Sequence, residues 1–138
     1  MAKTIVEILK DINKLPTRDE RLEALKANDS NIMRTILRMN FDKSITCLVP
    51  EGAPPYTPAE KPTTNLAKAH DKNFLYFFKN KWSKSIKQSE RESKFIRLLE
   101  AVSPAEAEML CKAKDRSLNY IGITKKLCRE AFPDLIVE

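Results

Sequence analysis

The chain has 138 residues, 42% hydrophobic and 32% charged, which suits one domain with a real core and argues against wholesale disorder. No apolar run approaches the roughly 20 residues that span a bilayer, and the N-terminus lacks the apolar stretch of a signal peptide. The three cysteines, Cys47, Cys111 and Cys128, are odd in number and form no C-x-x-C pair. They argue against a disulfide framework or a zinc site, and for free thiols in a reducing compartment, the cytoplasm of the protein's own cell or of a host.

With two glycines in the whole chain, helices are favoured over a turn-rich β fold. Ile5, Ile8, Leu9 and Ile12 repeat at i, i+3, i+4, i+7, so residues 4–14 read as an amphipathic helix that Pro16 ends. Thr17 has Glu20 three residues on, a capping-box spacing, and opens a second helix to about Ala27 with Leu22 and Leu25 inward. Asn28-Asp29-Ser30 breaks it, and Ser30 caps a third helix through Met39 that buries Ile32, Ile36 and Leu37. Five prolines in the thirteen residues Pro50–Pro62 exclude helix interior and central strand. The segment is either a flexible linker or, since 1–49 is too small for a domain, an ordered strap anchored by Tyr56.

Helix resumes over residues 65–80, ending in Phe74-Leu75-Tyr76-Phe77-Phe78, most of it core. A long polar helix from Lys84 to Val102 turns Phe95, Leu98, Leu99 and Val102 to one face. Ser103-Pro104-Ala105-Glu106 combines an N-cap serine, proline at the first helical position and glutamate at the third, and its helix packs through Ala107, Leu110 and Cys111. Gly122 and Thr124 mark a last turn and N-cap, and Leu127, Cys128 and Ala131 line a final short helix stopped by Pro133. The expected fold is all-α: a single domain over 1–138, a compact bundle of about six or seven short helices with a Pro-rich surface strap.

The net charge of +6 is unevenly placed. Between Lys61 and Gln88 there are seven lysines (Lys61, Lys68, Lys72, Lys79, Lys81, Lys84 and Lys87) against Asp71 alone. A one-sided basic surface is the footprint of a phosphate-backbone binder, although a solvated lysine face would read the same way. Two places stand out. In Lys79-Asn80-Lys81-Trp82-Ser83-Lys84, with Lys87 beyond, base and aromatic interleave as suits nucleic acid, or Trp82 plugs the core. At Gly122–Lys126 a glycine permits close approach, a helix start offers free amides, and Lys125 and Lys126 add charge; an ordinary capped helix with exposed lysines is the alternative.

Signals for catalysis are thin. The one histidine, His70, has no Cys, Asp or Glu at a metal-ligand spacing, and the carboxylates fall at salt-bridge spacings such as Glu90 with Lys94. No Gly-rich phosphate loop or G-x-S-x-G elbow is present. We expect a non-enzyme, with no cofactor, no metal and no catalytic residue.

Two stretches carry a resemblance. One runs through Ile5–Ile12, Thr17, Leu22–Asn28 and Met33–Met39; the other is Gly122-Ile123-Thr124-Lys125-Lys126-Leu127-Cys128-Arg129-Glu130-Ala131-Phe132-Pro133-Asp134-Leu135-Ile136. Together, over about half the chain, they resemble the N-terminal DNA-binding domain of ATP-dependent DNA ligases, most closely the T-even phage type. There an I-G-x-S type turn opens a small helix ending at aromatic-Pro-x-Leu, and Gly122, Thr124 and Phe132-Pro133 keep that spacing. The chain also looks like a family of small uncharacterised tailed-phage proteins that share the Pro-Glu-Gly-x-Pro-Pro-Tyr strap at 50–56. The ligase motif Lys-x-Asp-Gly is absent. The resemblance therefore implies a stand-alone binding module in a phage protein, gripping double-stranded DNA across the minor groove by backbone contacts. The expected DNA-binding residues are Gly122, Thr124, Lys125 and Lys126 within the resembling segment, and Lys79, Lys81, Lys84 and Lys87 from the lysine-rich run, which the resemblance does not cover. The alternative is a module that binds a host or phage protein of the replication or transcription machinery. Neither reading involves a membrane.

Overall fold

The computed structural model describes residues 4–79 and 84–135, with the backbone alone at 70–73 and 75. Among these residues the chain forms seven α-helices: α1 (Ile5–Lys14), α2 (Arg18–Ala27), α3 (Asn31–Phe41), α4 (Leu66–Asn73), α5 (Gln88–Ala101), α6 (Pro104–Lys114) and α7 (Lys125–Ala131). No described helix is long and apolar enough to cross a membrane.

Local chemistry sets most helix starts. The Ser30 hydroxyl accepts the Met33 amide at 3.2 Å and the Ser103 hydroxyl accepts the Glu106 amide at 3.3 Å, each satisfying a donor that the first turn leaves orphaned. Thr17 accepts the Glu20 amide at 3.2 Å as its spacing predicts, but the Glu20 carboxylate takes the Thr17 hydroxyl at 3.0 Å. The full reciprocal box forms instead at Thr4 and Glu7, where each side chain accepts the other residue's amide at 3.3 Å.

α6 is the hub. It packs on α1, α3 and α5, burying Ala107, Met109, Leu110, Cys111 and Ala113, while α7 packs on α2. All three cysteines are free thiols, and Cys111 and Cys128 are buried.

The helix expected over 65–80 stops at Asn73. A 3₁₀ turn follows at Phe74–Tyr76, and Phe78 then forms an isolated antiparallel bridge with Cys47. The reason is tertiary: the Phe77 carbonyl accepts the Leu48 amide at 2.7 Å, and the Lys79 amide donates to the Thr46 carbonyl at 2.9 Å. Phe77 sits edge-on to both Phe74 (5.6 Å) and Phe95 (5.3 Å), fixing the turn to the core. α5 likewise starts at Gln88 rather than Lys84. Its first turn is held from outside, by Gln88 Nε2 donating to the Leu48 carbonyl at 2.9 Å and Arg91 Nε to the Tyr76 carbonyl at 2.6 Å.

Residues 50–62 form a strap packed on the helices. Its Gly52 amide donates to Asp115 at 3.0 Å and its Thr57 amide to Glu100 at 2.8 Å; just beyond it, the Thr63 and Thr64 amides donate to the Ala101 carbonyl. Tyr56 is half-buried against the core. The main anchor is Lys114, whose ammonium donates to the Pro50 carbonyl (2.8 Å), the Gly52 carbonyl (3.0 Å) and Asp115 Oδ1 (2.6 Å). Gly52 adopts φ +85°, the left-handed region where a Cβ is costly. Just past the strap, buried Glu106 accepts the Leu66 amide at 2.8 Å and so caps α4 from another helix.

Candidate nucleic-acid interface

The C-terminal candidate lies on a segment that crosses the end of the bundle. After α6 the chain turns through Arg116 (φ +59°) and Asn119 (φ +56°), and the Leu118 amide donates to Asn40 Oδ1 at 3.1 Å. A tight turn follows, closed by the Ile123 amide on the Tyr120 carbonyl at 3.2 Å. Its Gly122 amide donates to Asn13 Oδ1 at 2.7 Å, tying the turn to the end of α1. A Cβ at Gly122 would meet Asn13 Oδ1 at 2.9 Å and both Arg21 Cδ and the Asn13 carbonyl at 3.0 Å. The close approach expected of this glycine is thus made to the chain's own α1–α2 corner.

Thr124 caps α7, its hydroxyl accepting the Leu127 amide at 3.1 Å, so one of the amides expected to be free at this helix start is already satisfied. Lys125 is half-buried and Lys126 exposed. α7 is fixed to α2 by an Arg18–Glu130 ion pair at 2.8 Å, and Arg34 of α3 lies over the Phe132 ring at 4.9 Å from its centroid. The Arg18 guanidinium holds the Glu130 carboxyl below the usual range, with smaller help from the charges of Lys126 and Lys26.

The second candidate lies around the Cys47–Phe78 bridge. Lys79 is exposed and tied by its backbone to Thr46; Lys84 is exposed in the turn before α5, and exposed Lys87 is the N-cap residue of that helix. Lys81 and Trp82 lie outside the described residues, as does the side chain of His70. A cavity of about 360 Å³ opens beside the bridge, lined by Ile45, Thr46, Cys47, Phe78, Asp115 and Arg116 among others. Burial pushes the Cys47 thiol up, so it is protonated at neutral pH and a poor nucleophile.

The two lysine groups are held by different parts of the molecule. α3 lies between them: Arg34, near its start, meets the end of α7, and its C-terminal end leads into the Ile45–Cys47 segment beside Lys79. Among the described residues, none of Lys79, Lys84, Lys87, Lys125 and Lys126 is in an ion pair, and no group of three or more His, Cys, Asp and Glu side chains could hold a metal ion.

One feature of this end of the fold escapes a reading of the sequence. Ile121, between Tyr120 and Gly122, is 94% exposed, the single large apolar side chain so displayed among the described residues. An isoleucine there reads as core; only the adjacent glycine hints at a turn that could face it outward. No curated protein and no solved structure matches the chain. A protein-family model does match, over residues 8–120, from within α1 through the strap and the lysine-rich middle to Tyr120. The chain belongs to that family, a family of unknown function (DUF6433).

Proposed function

We propose that this domain is a non-catalytic, ligase-like module that binds double-stranded DNA through its backbone, with little sequence preference, in the cytoplasm of a phage-infected host. The observation that carries this reading is the state of the charges. Four carboxylates already have cationic partners: Glu130 has Arg18, Asp29 has Arg34, Asp42 has Arg38 and Asp115 has Lys114. Lys79, Lys84, Lys87, Lys125 and Lys126 have none among the described residues, so they are left to meet phosphates. Lys81 is assigned with them from its place in the sequence. Gly122 and Thr124 act by shaping the turn and helix start that present Lys125 and Lys126.

The second reading is a module that binds a protein of the replication or transcription machinery. The placement of the two lysine groups at different ends of α3 favours it over one continuous phosphate track. Fluorescence anisotropy with nicked, intact and single-stranded DNA over a range of salt separates the two. Duplex binding should weaken with a log–log slope of about −0.9 per phosphate contact. Lys125→Ala with Lys126→Ala should lower that slope by about one to two units and weaken all sequences alike. A flat salt dependence, or a double variant that binds as well as the parent, transfers the function to the protein-binding reading.

A further inference from the structure

We propose that Ile121 is an apolar wedge that this domain inserts between base steps of the duplex, a role that rests on the duplex-binding reading above. Its exposure comes from order rather than slack. The Tyr120–Ile123 turn is closed by its own hydrogen bond at 3.2 Å and pinned to α1 through the Gly122 amide at 2.7 Å. The turn also lies close against α1 and α2: a Cβ added at Gly122 would meet Asn13 Oδ1 at 2.9 Å and Arg21 Cδ at 3.0 Å. Ile123, two residues on, is buried and anchors the exit of the turn, while Tyr120 packs partly against the core at its entry. The fold therefore holds one isoleucine, 94% exposed, in a turn pinned to α1.

What surrounds Ile121 identifies what it fits. Lys125 and Lys126 follow it in the same segment, and Lys14 adjoins the Asn13 that pins it. Glu108, which lies beside Tyr120, is paired with Lys112 at 2.9 Å, whereas Lys125 and Lys126 have no ion-pair partner among the described residues. An apolar point on a segment that carries two such lysines matches a surface that is anionic outside and apolar within. Duplex DNA is such a surface: phosphates flank a stack of bases that Ile, Leu, Phe or Met side chains part, kinking the helix by about 20–90°. An anionic membrane has the same order of layers, but stable attachment there takes an apolar helix face or more than one anchor, and a single isoleucine supplies neither.

The test uses the full chain and a short duplex labelled at its two ends, reading affinity by anisotropy and bending by energy transfer. The parent should bend the duplex on binding. Ile121→Ser should lose the bending and bind about tenfold more weakly with an unchanged salt slope, because no phosphate contact is removed. Ile121→Leu should restore both. An Ile121→Ser variant that binds and bends as the parent does overturns the wedge while leaving duplex binding intact. A parent that binds duplex without bending it overturns the wedge as well. A parent with no salt-dependent duplex binding overturns both readings. Sedimentation of the parent, but not of Ile121→Ser, with phosphatidylserine vesicles and without duplex binding would give the isoleucine to a membrane.

Discussion

Lys114→Met offers the sharpest test of how the strap is held. The Lys114 side chain is 1% exposed, and its ammonium makes three hydrogen bonds: two to strap carbonyls (2.8 and 3.0 Å) and one to Asp115 (2.6 Å). Methionine keeps most of the volume and the packing near Phe95 but removes the charge and every donor. Breaking a buried pair typically costs about 3–5 kcal/mol, because the abandoned partner keeps its desolvation penalty. Here the loss should be smaller. Asp115 is 21% exposed and still accepts the Gly52 amide, and the freed carbonyls belong to exposed residues that water can reach. We therefore expect a loss of about 2–4 kcal/mol, or roughly 10 °C in Tm for a domain of this size. Urea denaturation measures the first, and limited proteolysis should show cleavage within 50–62 that the parent resists. Lys112→Met, on the same helix but 52% exposed, is the control and should change neither. A Lys114→Met protein as stable as the parent, with its strap equally protected, would show that the prolines and Tyr56 hold the strap without the lysine.

Three further outcomes follow from the same packing. Gly122→Ala should lower stability by about 1–2 kcal/mol in thermal unfolding, since its Cβ would press on Asn13 and Arg21; an unchanged Tm would mean the α1–α2 corner yields easily. Burial pushes the Cys128 thiol up to about 12, so the neutral thiol favours the folded state, and that contribution is complete below the ordinary value of 9.0 and lost as pH rises toward 12. Stability should fall across that window, less steeply in Cys128→Ala, and in the native protein thiol reagents at pH 8 should reach half-buried Cys47 before Cys128; rapid native labelling of Cys128 would contradict its burial.

The helices were legible because their signals are local. Ser30, Ser103-Pro104 and Thr124 open helices where their spacing places them, since a hydroxyl and an amide three residues on meet wherever the chain sits. The apolar stripes through Ile5, Leu9 and Ile12 and through Phe95, Leu98 and Leu99 are buried for the same reason: helical period alone gathers them on one face. What depended on distant partners was not legible. Nothing near Lys114 in the sequence marks it as buried beneath a strap some sixty residues earlier, and nothing near Glu106 shows that its carboxylate caps α4 as well as closing its own first turn. The run at 74–78 has helical composition, yet its carbonyl and amide find residues 46–48 before they find the next helical turn. Gly122 shows the division most plainly. The sequence by itself placed a turn there, because glycine before a capping threonine breaks one helix from the next. Only the packing of α1 and α2 decided that the missing side chain makes room for Asn13 and Arg21, and that the turn so pinned must hold Ile121 out to solvent.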